Sequence, residues 1–480
     1  MAPNNSRGVG QSGPHMTSIS DIPADILYTI AQYAVSLRDL VFVCRRWCDI
    51  ILFAPSLWTN IHITFPKALP LPSGPTPERT ARAALRRAGS TTRLSLHLEM
   101  HEISRNIDSA TAVVDMVCSR GHQFIRELKL DGRWFPLTND ITSESISSLF
   151  SCLVGEWKSL LHFHFEAPSA HAPRFNTVLY FLDSVISTAP ALHYTSIPAD
   201  ILPLIEKKLS KKRSLTTLDI TRSLISYEPF RFSMWPHIKS LKIRSHNGGH
   251  PPFGNRLDLR AIDPPSTAEG DIPAFPLLAH AMFVNHTLEF RSNLRLTSIT
   301  DLVLSSVDIN ATAPYSIEVP LLRSLVAEKT RGLNCIVAPM LETLSIGPLP
   351  EAAKVERYLS ELFSGHHQQI DPVHLDLRPI YREEDLYVVD TAIPLASVYN
   401  LRRVERISIS RLAEVRGADR WKYRLLESAK IDTGKTTKVM VVLPKWKEMD
   451  LGQADVPDWL WDIIIARRVA GSPVQINHTD

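Results

Sequence analysis

A short pattern of two apolar residues around one variable residue recurs at least nine times between Leu94 and Ile409. Alternation with a period of two is typical of a β-strand that buries one face, and each segment fits one short strand. The nine segments are residues 94–96, 128–130, 163–165, 218–220, 241–243, 302–304, 344–346, 375–377 and 407–409. The pattern therefore predicts a chain built from many short strands.

Helical stretches separate several of these segments. Residues 110–118, 177–187 and 354–363 each carry a helical pattern that ends shortly before Gly or Pro. Several strand segments also have an apolar residue three positions earlier, for example Ile125 and Leu215. This spacing is the strand half of a leucine-rich repeat, in which one short strand per turn lines the inside of a curved array. Each unit then buries its apolar side only by stacking on its neighbours.

We therefore expect an α/β fold that is mainly an irregular leucine-rich-repeat-like solenoid. Regular repeats favour Asn or Cys three positions after the second apolar residue, where the side chain bonds the backbone of the inner turns. In this chain those positions hold Arg133, Ser223, His246, Val307 and Leu349. An ordinary α/β domain with a parallel sheet remains the alternative, because βαβ units produce the same alternation.

Residues 21–61 hold a different pattern, with large apolar side chains at helical spacing. Pro23 suits the first position of a helix, and Ile26, Leu27 and Ile30 follow on one face. A second pattern starts at Ser36, a suitable capping residue. It runs through Leu40, Val43, Cys44, Trp47, Ile50 and Ile51 until Pro55. Because helices of this length cannot bury all of these groups among themselves, we expect a partner surface.

The order of these residues resembles the F-box, a module that docks on the Skp-type adaptor of Skp/cullin/F-box ubiquitin ligases. The resemblance rests on Ile22-Pro23, Ile26-Leu27, Leu37-Arg38-Asp39-Leu40, Val43-Cys44-Arg45-Arg46-Trp47 and Pro55-Ser56-Leu57-Trp58. It implies a small three-helix F-box at residues 18–63. Ile22 stands where the family usually has Leu, a change that conserves volume. The alternative is a helical cap on an unrelated domain.

By this resemblance, the chain is expected to be a non-catalytic adaptor that brings a target protein to the ligase. The residues expected to contact the Skp-type adaptor are Ile22, Pro23, Ile26, Leu27, Leu40, Val43, Trp47 and Trp58. In a solenoid, strand residues that point away from the core line the concave face. The candidate substrate face consists of Lys129, Asp131, His164, Asp219, Lys242, Arg244, Asp376 and Arg378.

Two other functions remain open at this point. One is an F-box protein that binds the Skp-type adaptor but acts outside a ligase, without a cullin. The other is a repeat scaffold whose helical start only caps the solenoid. The target protein is not recoverable from the sequence.

Composition and pattern divide the rest of the chain into predicted segments. Residues 1–17 are rich in Asn, Ser, Gly and Pro and predict a disordered tail, and residues 64–77 are rich in Pro and predict a stiff linker. The repeat-like domain is expected at residues 78–445, with a proline-rich loop excursion at 246–276. Residues 446–480 contain a capped helical pattern that predicts a C-terminal helical cap.

Charge and motifs argue against several other functions. The net charge of +3 lacks the concentrated basic surface of a nucleic-acid-binding protein. Five cysteines without a CxxC pair favour a reducing compartment, and no apolar run is long enough for a membrane span. We therefore expect the cytoplasm and/or the nucleus, with no membrane partner.

Catalytic and metal-binding motifs are weak. The segment Thr433-Gly434-Lys435-Thr436 resembles the end of a P-loop, but Ala429 stands where the first glycine is required. His162 and His164 lack a carboxylate or third ligand at metal spacing in the sequence. We expect no cofactor, no metal ion and no catalytic residue.

Overall fold

The computed structural model describes the chain in segments. They are residues 22–33, 40, 42–65, 76–89, 93–100, 107–132, 143–166, 176–199, 201–222, 235–245, 256–258, 275–290, 293–311, 315–347, 370–377, 403–409, 430–432, 437–439, 445–450, 461, 464–465, 467–468 and 473–477. All structural statements below concern these residues.

The described residues form an α/β structure with 23 strands and seven α-helices. The helices are α1 (Ala24–Tyr33), α2 (Arg45–Phe53), α3 (Pro77–Ala88), α4 (Ile107–Cys118), α5 (Ser143–Cys152), α6 (Asn176–Thr188) and α7 (Leu202–Leu209). The strands are β1 (Asn60–Phe65), β2 (Leu94–Met100), β3 (Ile125–Gly132), β4 (His162–Phe165), β5 (Tyr194–Pro198), β6 (Thr217–Arg222), β7 (Ser240–Ser245), β8 (Arg256–Asp258), β9 (His280–Val284), β10 (Thr287–Phe290), β11 (Leu294–Arg295), β12 (Asp301–Ser305), β13 (Asp308–Ala311), β14 (Ile317–Glu318), β15 (Ser324–Glu328), β16 (Ile336–Val337), β17 (Thr343–Gly347), β18 (His374–Leu377), β19 (Arg406–Ile409), β20 (Lys430–Asp432), β21 (Thr437–Val439), β22 (Glu448–Asp450) and β23 (Gln475–Asn477).

One large parallel sheet organises the structure. Its fifteen strands follow one another in chain order, in the sequence β1-β2-β3-β4-β5-β6-β7-β9-β12-β15-β17-β18-β19-β22-β23. Every neighbouring pair is parallel. Each inner strand therefore pairs with the sheet strand before it and the one after it along the chain.

Helices connect the first six strands of this sheet. Helices α3 to α7 lie between successive strands, and each packs against the next helix along the chain. Their buried residues and those of the strands form one continuous apolar core. Helix α3 shows why the local sequence folds this way, because Thr76 caps it, Pro77 opens it and Gly89 follows it with a φ of +74°.

Between β7 and β17, short strands take the place of α-helices in the described residues. Strands β8, β10 and β13 form one small parallel sheet, and β11, β14 and β16 form another. The corner after the main-sheet strand repeats three times, with Asn285, Ser306 and Lys329 at φ values of 59°, 53° and 48°. Each of these residues donates its backbone N–H to the next turn, over 2.7–3.1 Å. The repeated corner holds successive turns in register.

Gly332 closes one of these turns in a conformation that requires glycine. Its φ is +75°, and a β-carbon on it would lie 2.3 Å from the carbonyl oxygen of Ile309. We expect Gly332→Ala to lower the free energy of unfolding by roughly 1–3 kcal/mol, because it adds both backbone strain and a backbone clash. Urea unfolding measures this change. The exposed neighbour Asn334→Ala is the control, and an equal effect of the two substitutions would contradict the prediction.

The nine segments with two apolar residues all lie within strands of the main sheet, so those nine predictions are confirmed. The helices predicted at 110–118 and 177–187 are also confirmed, as α4 and α6. The helix predicted at 354–363 lies outside the described residues, as do the tail at 1–17 and residues 66–75 of the predicted linker.

Three local elements differ from the sequence predictions. The loop predicted at 246–276 contains strand β8, which pairs with β10. The cap predicted at 446–480 contains β22 and β23, which extend the main sheet in addition to helical residues. The helical pattern predicted from Ser36 to Pro55 is interrupted, because Cys44 is extended at φ −162° and α2 begins after it.

None of the helices in the described part of the chain has the length and apolar character needed to cross a membrane.

Candidate functional site

The N-terminal helices form a small unit with an apolar core of its own. Its members are Leu27, Ala31, Trp47, Ile51 and Leu57, all of them buried. They come from α1, α2 and a single 3₁₀ turn, Pro55–Trp58. Where a three-helix unit was expected, the described residues contain α1, α2 and one 3₁₀ turn, and Leu40 between α1 and α2 is also helical.

Trp58 connects this unit to the main core, because it packs against both apolar clusters. Its indole Nε1 donates to the carbonyl of Ile51 over 2.7 Å. The guanidinium of Arg87, from α3, lies 4.3 Å from the centre of the ring. Trp58 is therefore held from both sides, which fixes the unit to the start of the sheet.

The eight residues expected to contact an adaptor do not share one environment. Pro23, Ile26 and Val43 are exposed, and Ile22, Leu40 and Trp58 are half-buried. Leu27 and Trp47, at 0% and 3% exposure, lie inside the unit and cannot contact a partner in this conformation. Leu27 is one position from Ile26, and a step of one residue turns a helix by about 100°, so the two point in different directions.

Further apolar side chains of the unit that the pattern did not single out as contact residues are exposed. Ile30 is 43% exposed, Phe42 is 77% exposed and Phe53 is 80% exposed. Phe42 precedes α2 and Phe53 ends it, so neither lies on the regular stripe that the pattern followed. Together with Pro23, Ile26 and Val43 they form what we call the apolar surface of the unit.

The second candidate surface is the face of the main sheet opposite the apolar core. Its side chains alternate along each strand with the buried apolar ones. Parallel register aligns one residue from each strand into a row across all fifteen strands. The row consists of His62, His97, Lys129, His164, Ser196, Asp219, Lys242, Met282, Val303, Val326, Ser345, Asp376, Ser408, Asp450 and Asn477. Its first part is rich in His and charged groups, and its middle is apolar.

A cavity of about 730 Å³ lies on the first part of this face. Five residues of the predicted substrate face line it: Lys129, His164, Asp219, Lys242 and Arg244. Among the residues that sequence reasoning did not assign to this face, Glu127, His162, His193 and Tyr194 also line it. Its wall therefore combines cations, carboxylates, imidazoles and one phenol, which suits a polar ligand of mixed charge.

An ion pair with a buried carboxylate forms part of the cavity wall. The carboxylate of Asp219, whose side chain is 3% exposed, accepts from Arg244 Nε over 3.0 Å and from Arg244 Nη2 over 2.9 Å. The hydroxyl of Tyr194 donates to the same carboxylate over 2.9 Å. Burial, and then the charge of Asp219, raise the pKa of the Tyr194 hydroxyl above its usual range, so it remains a donor at neutral pH.

A cluster of imidazoles and carboxylates lies beside the cavity, on β2, β3 and the end of β4. Asp131 Oδ2 is 2.9 Å from Lys129 Nζ and 3.7 Å from His97 Nε2. His164 Nε2 is 3.3 Å from Glu166 Oε2. His97, and more weakly Lys129, hold the pKa of Asp131 well below its usual range, so this carboxylate is ionised.

This cluster corrects one sequence-based expectation. His164 does have carboxylates beside it, because Asp131 comes from the neighbouring strand and Glu166 from two positions along the chain. His162 is not part of the cluster. Of the remaining predicted substrate residues, Asp376 lies far along the sheet and accepts from Ser345 Oγ over 2.9 Å, and Arg378 is outside the described residues.

Comparison with known proteins gives no match: the chain fits no protein-family model and resembles no curated protein significantly. The apolar surface of the N-terminal unit and the cavity on the main sheet are therefore the two features that bear on function.

Proposed function

We propose that the chain is a non-catalytic substrate-recognition adaptor of a Skp/cullin/F-box-type ubiquitin ligase, acting in the cytoplasm and/or the nucleus. The observation that carries this proposal is the apolar surface of the N-terminal unit. The unit has a closed core of its own, yet it leaves Ile26, Ile30, Phe42, Val43 and Phe53 in water. Full burial of such a side chain stabilises a complex by about 1.5–3 kcal/mol, so a partner surface of matching apolar character is favoured.

The partner in this proposal is the Skp-type adaptor, which would in turn hold a cullin. The order of residues in the N-terminal unit, from Ile22 and Pro23 to Trp58, resembles the F-box and supports this choice. The half-buried residues Ile22 and Leu40 precede exposed residues along the chain and would complete the proposed contact. Leu27 and Trp47 contribute by keeping the helices together.

The remainder of the chain is proposed to be an irregular leucine-rich-repeat-like solenoid that binds an unknown target protein. Strands in chain order, each parallel to its neighbours, support the solenoid, since every unit then buries its apolar side against the next one. The cavity, together with the His-rich and charged first part of the row, supplies a candidate target surface. Holding target and ligase on one chain raises their effective concentration, which is the proposed mechanism.

The test replaces exposed residues, because a substitution at Trp47 would open the core of the unit. We expect Ile26→Glu combined with Val43→Glu to weaken binding of a purified Skp-type adaptor at least tenfold, since 1.4 kcal/mol of lost apolar contact suffices for that factor. Biosensor or calorimetric titration measures the dissociation constant. Near-ultraviolet circular dichroism checks that the unit stays folded.

Leu204→Glu is the matched control, because Leu204 is 55% exposed on α7 and lies outside the apolar surface. Equal binding by the double variant and the control would contradict adaptor docking. Co-purification distinguishes the alternatives: the Skp-type adaptor without a cullin indicates action outside a ligase, and neither protein indicates a scaffold.

A further inference from the structure

Three potential metal ligands converge where β3 and β4 run side by side. One ligand atom each of Asp131, His164 and Glu166 lies within 4.8 Å of the other two. Lys129 pairs with His164 across the two strands, and Asp131 and Glu166 each follow two positions later on the same face. Their side chains are 12–26% exposed, which leaves them partly desolvated but still reachable from the open face.

The imidazole of His97 lies beside this cluster. Its Nε2 atom is buried and lies 3.7 Å from Asp131 Oδ2, which is near enough for an electrostatic contact but beyond hydrogen-bond distance. Its ring stacks on His62, with the ring centres 4.1 Å apart and the planes within 3°. A buried ring nitrogen without a hydrogen bond is uncommon, and an ion or water is a usual reason for one. The stacking holds the His97 ring beside Asp131.

We propose that Asp131, His164 and Glu166 bind a zinc ion, with His97 as the fourth ligand. Two imidazole nitrogens and two carboxylate oxygens form a donor set that suits Zn²⁺. Ligand atoms about 2.0–2.2 Å from a tetrahedral ion lie roughly 3.3–3.6 Å apart. Asp131, His164 and Glu166 therefore have to move together by about 1 Å, which rotation of these partly exposed side chains allows, and His97, which lies outside this group, has to move further. The bound ion joins β2, β3 and β4 at the edge of the cavity.

The effect of removing Lys129 distinguishes a zinc site from a purely structural cluster. Its ammonium lies 2.9 Å from Asp131 Oδ2 and balances part of the negative charge of the two carboxylates. A zinc ion has to displace this ammonium, and the side chain is 36% exposed on a flexible stem that can turn away into the cavity. Removal of Lys129 is therefore expected to strengthen zinc binding.

The experiment titrates the full chain, after treatment with a chelator, with ZnCl₂ in competition with a chromophoric chelator. We expect one tight site, a loss of affinity of at least tenfold in His164→Gln and in Glu166→Gln, and a gain of about threefold or more in Lys129→Met. Co²⁺ provides a second readout, since a four-coordinate site with these ligands gives visible absorption that the two Gln variants lose.

His162→Gln is the control, because His162 lies two positions before His164 on the same face but outside the cluster. It should keep the affinity of the parent chain. The proposal is overturned if the parent chain binds no zinc, if His162→Gln weakens binding as much as His164→Gln, or if Lys129→Met weakens binding. Circular dichroism of each variant separates loss of the site from loss of the fold.

Discussion

Replacement of Arg244 by Met is expected to lower the free energy of unfolding by about 3–5 kcal/mol, because it leaves the buried carboxylate of Asp219 without its countercharge. Arg244 supplies two of the three side-chain bonds that Asp219 receives, and Tyr194 supplies one neutral donor. The Asp219 side chain is 3% exposed, so in the parent chain these bonds and not water satisfy its charge.

Urea unfolding followed by far-ultraviolet circular dichroism measures this loss. The matched control is Arg295→Met, whose guanidinium is 69% exposed and 3.7 Å from Glu318. An exposed pair of this kind contributes about 0–1 kcal/mol. The double variant Asp219→Leu with Arg244→Met should recover part of the stability, because it removes the buried charge as well. A loss in Arg244→Met no larger than in Arg295→Met would contradict a structural role for the pair.

This ion pair also narrows the candidate substrate face. Arg244 and Asp219 satisfy each other, so neither presents an unbalanced charge to a target. Two other residues of the cavity lining are better placed to contact a ligand. They are Lys242, which pairs with Asp219, and His162, which lies on β4. The residues predicted from alternation alone thus divide into those that build the wall and those that face the cavity.

Much of the main sheet could be predicted from the sequence, because burial of one strand face imposes a period of two. Strand β5 was missed for a physical reason, since its interior includes the polar residues Thr195 and Ser196 and the alternation disappears. Strand β9 was missed because Ala281 occupies a buried position in place of a large apolar residue. The pattern detects apolar burial and not strand geometry itself.

The site was less predictable, because side chains that meet across strands are set by register. Asp131 and His164 are 33 positions apart in the sequence, and β3 and β4 bring them together only through the pairing of Lys129 with His164. The same holds for Tyr194 and Asp219. In the N-terminal unit, spacing identified the apolar stripe but not its inner side, and the resemblance assigned Leu27 and Trp47 to a partner although they form the core.

Phe181→Ala is expected to lower the free energy of unfolding by about 3–5 kcal/mol, because it opens a cavity at the centre of an aromatic cluster. Phe181 lies on α6 and is fully buried. Its ring centre is 5.6 Å from that of Phe150, 5.8 Å from Phe163 and 6.4 Å from Trp157. The cluster joins helices to β4, so no single neighbour can move in to fill the space.

Two further variants separate packing from other effects. Phe181→Leu keeps most of the volume and should cost less than about 1.5 kcal/mol. Tyr180→Ala, one position earlier on the same helix and 69% exposed, should change stability by no more than about 0.5 kcal/mol. Equal losses in Phe181→Ala and Tyr180→Ala would contradict the packing of α6 against the sheet.

The location of the damage in Phe181→Ala tests the proposed solenoid. In a stacked array each unit depends mainly on its neighbours, so a local defect reduces protection locally. Hydrogen exchange should therefore become faster in β4 and β5, which flank α6 along the chain, while amides of β15 and β17 keep their protection. Uniform loss of protection along the whole sheet would indicate a single cooperative α/β domain. That result would contradict the proposed leucine-rich-repeat-like solenoid.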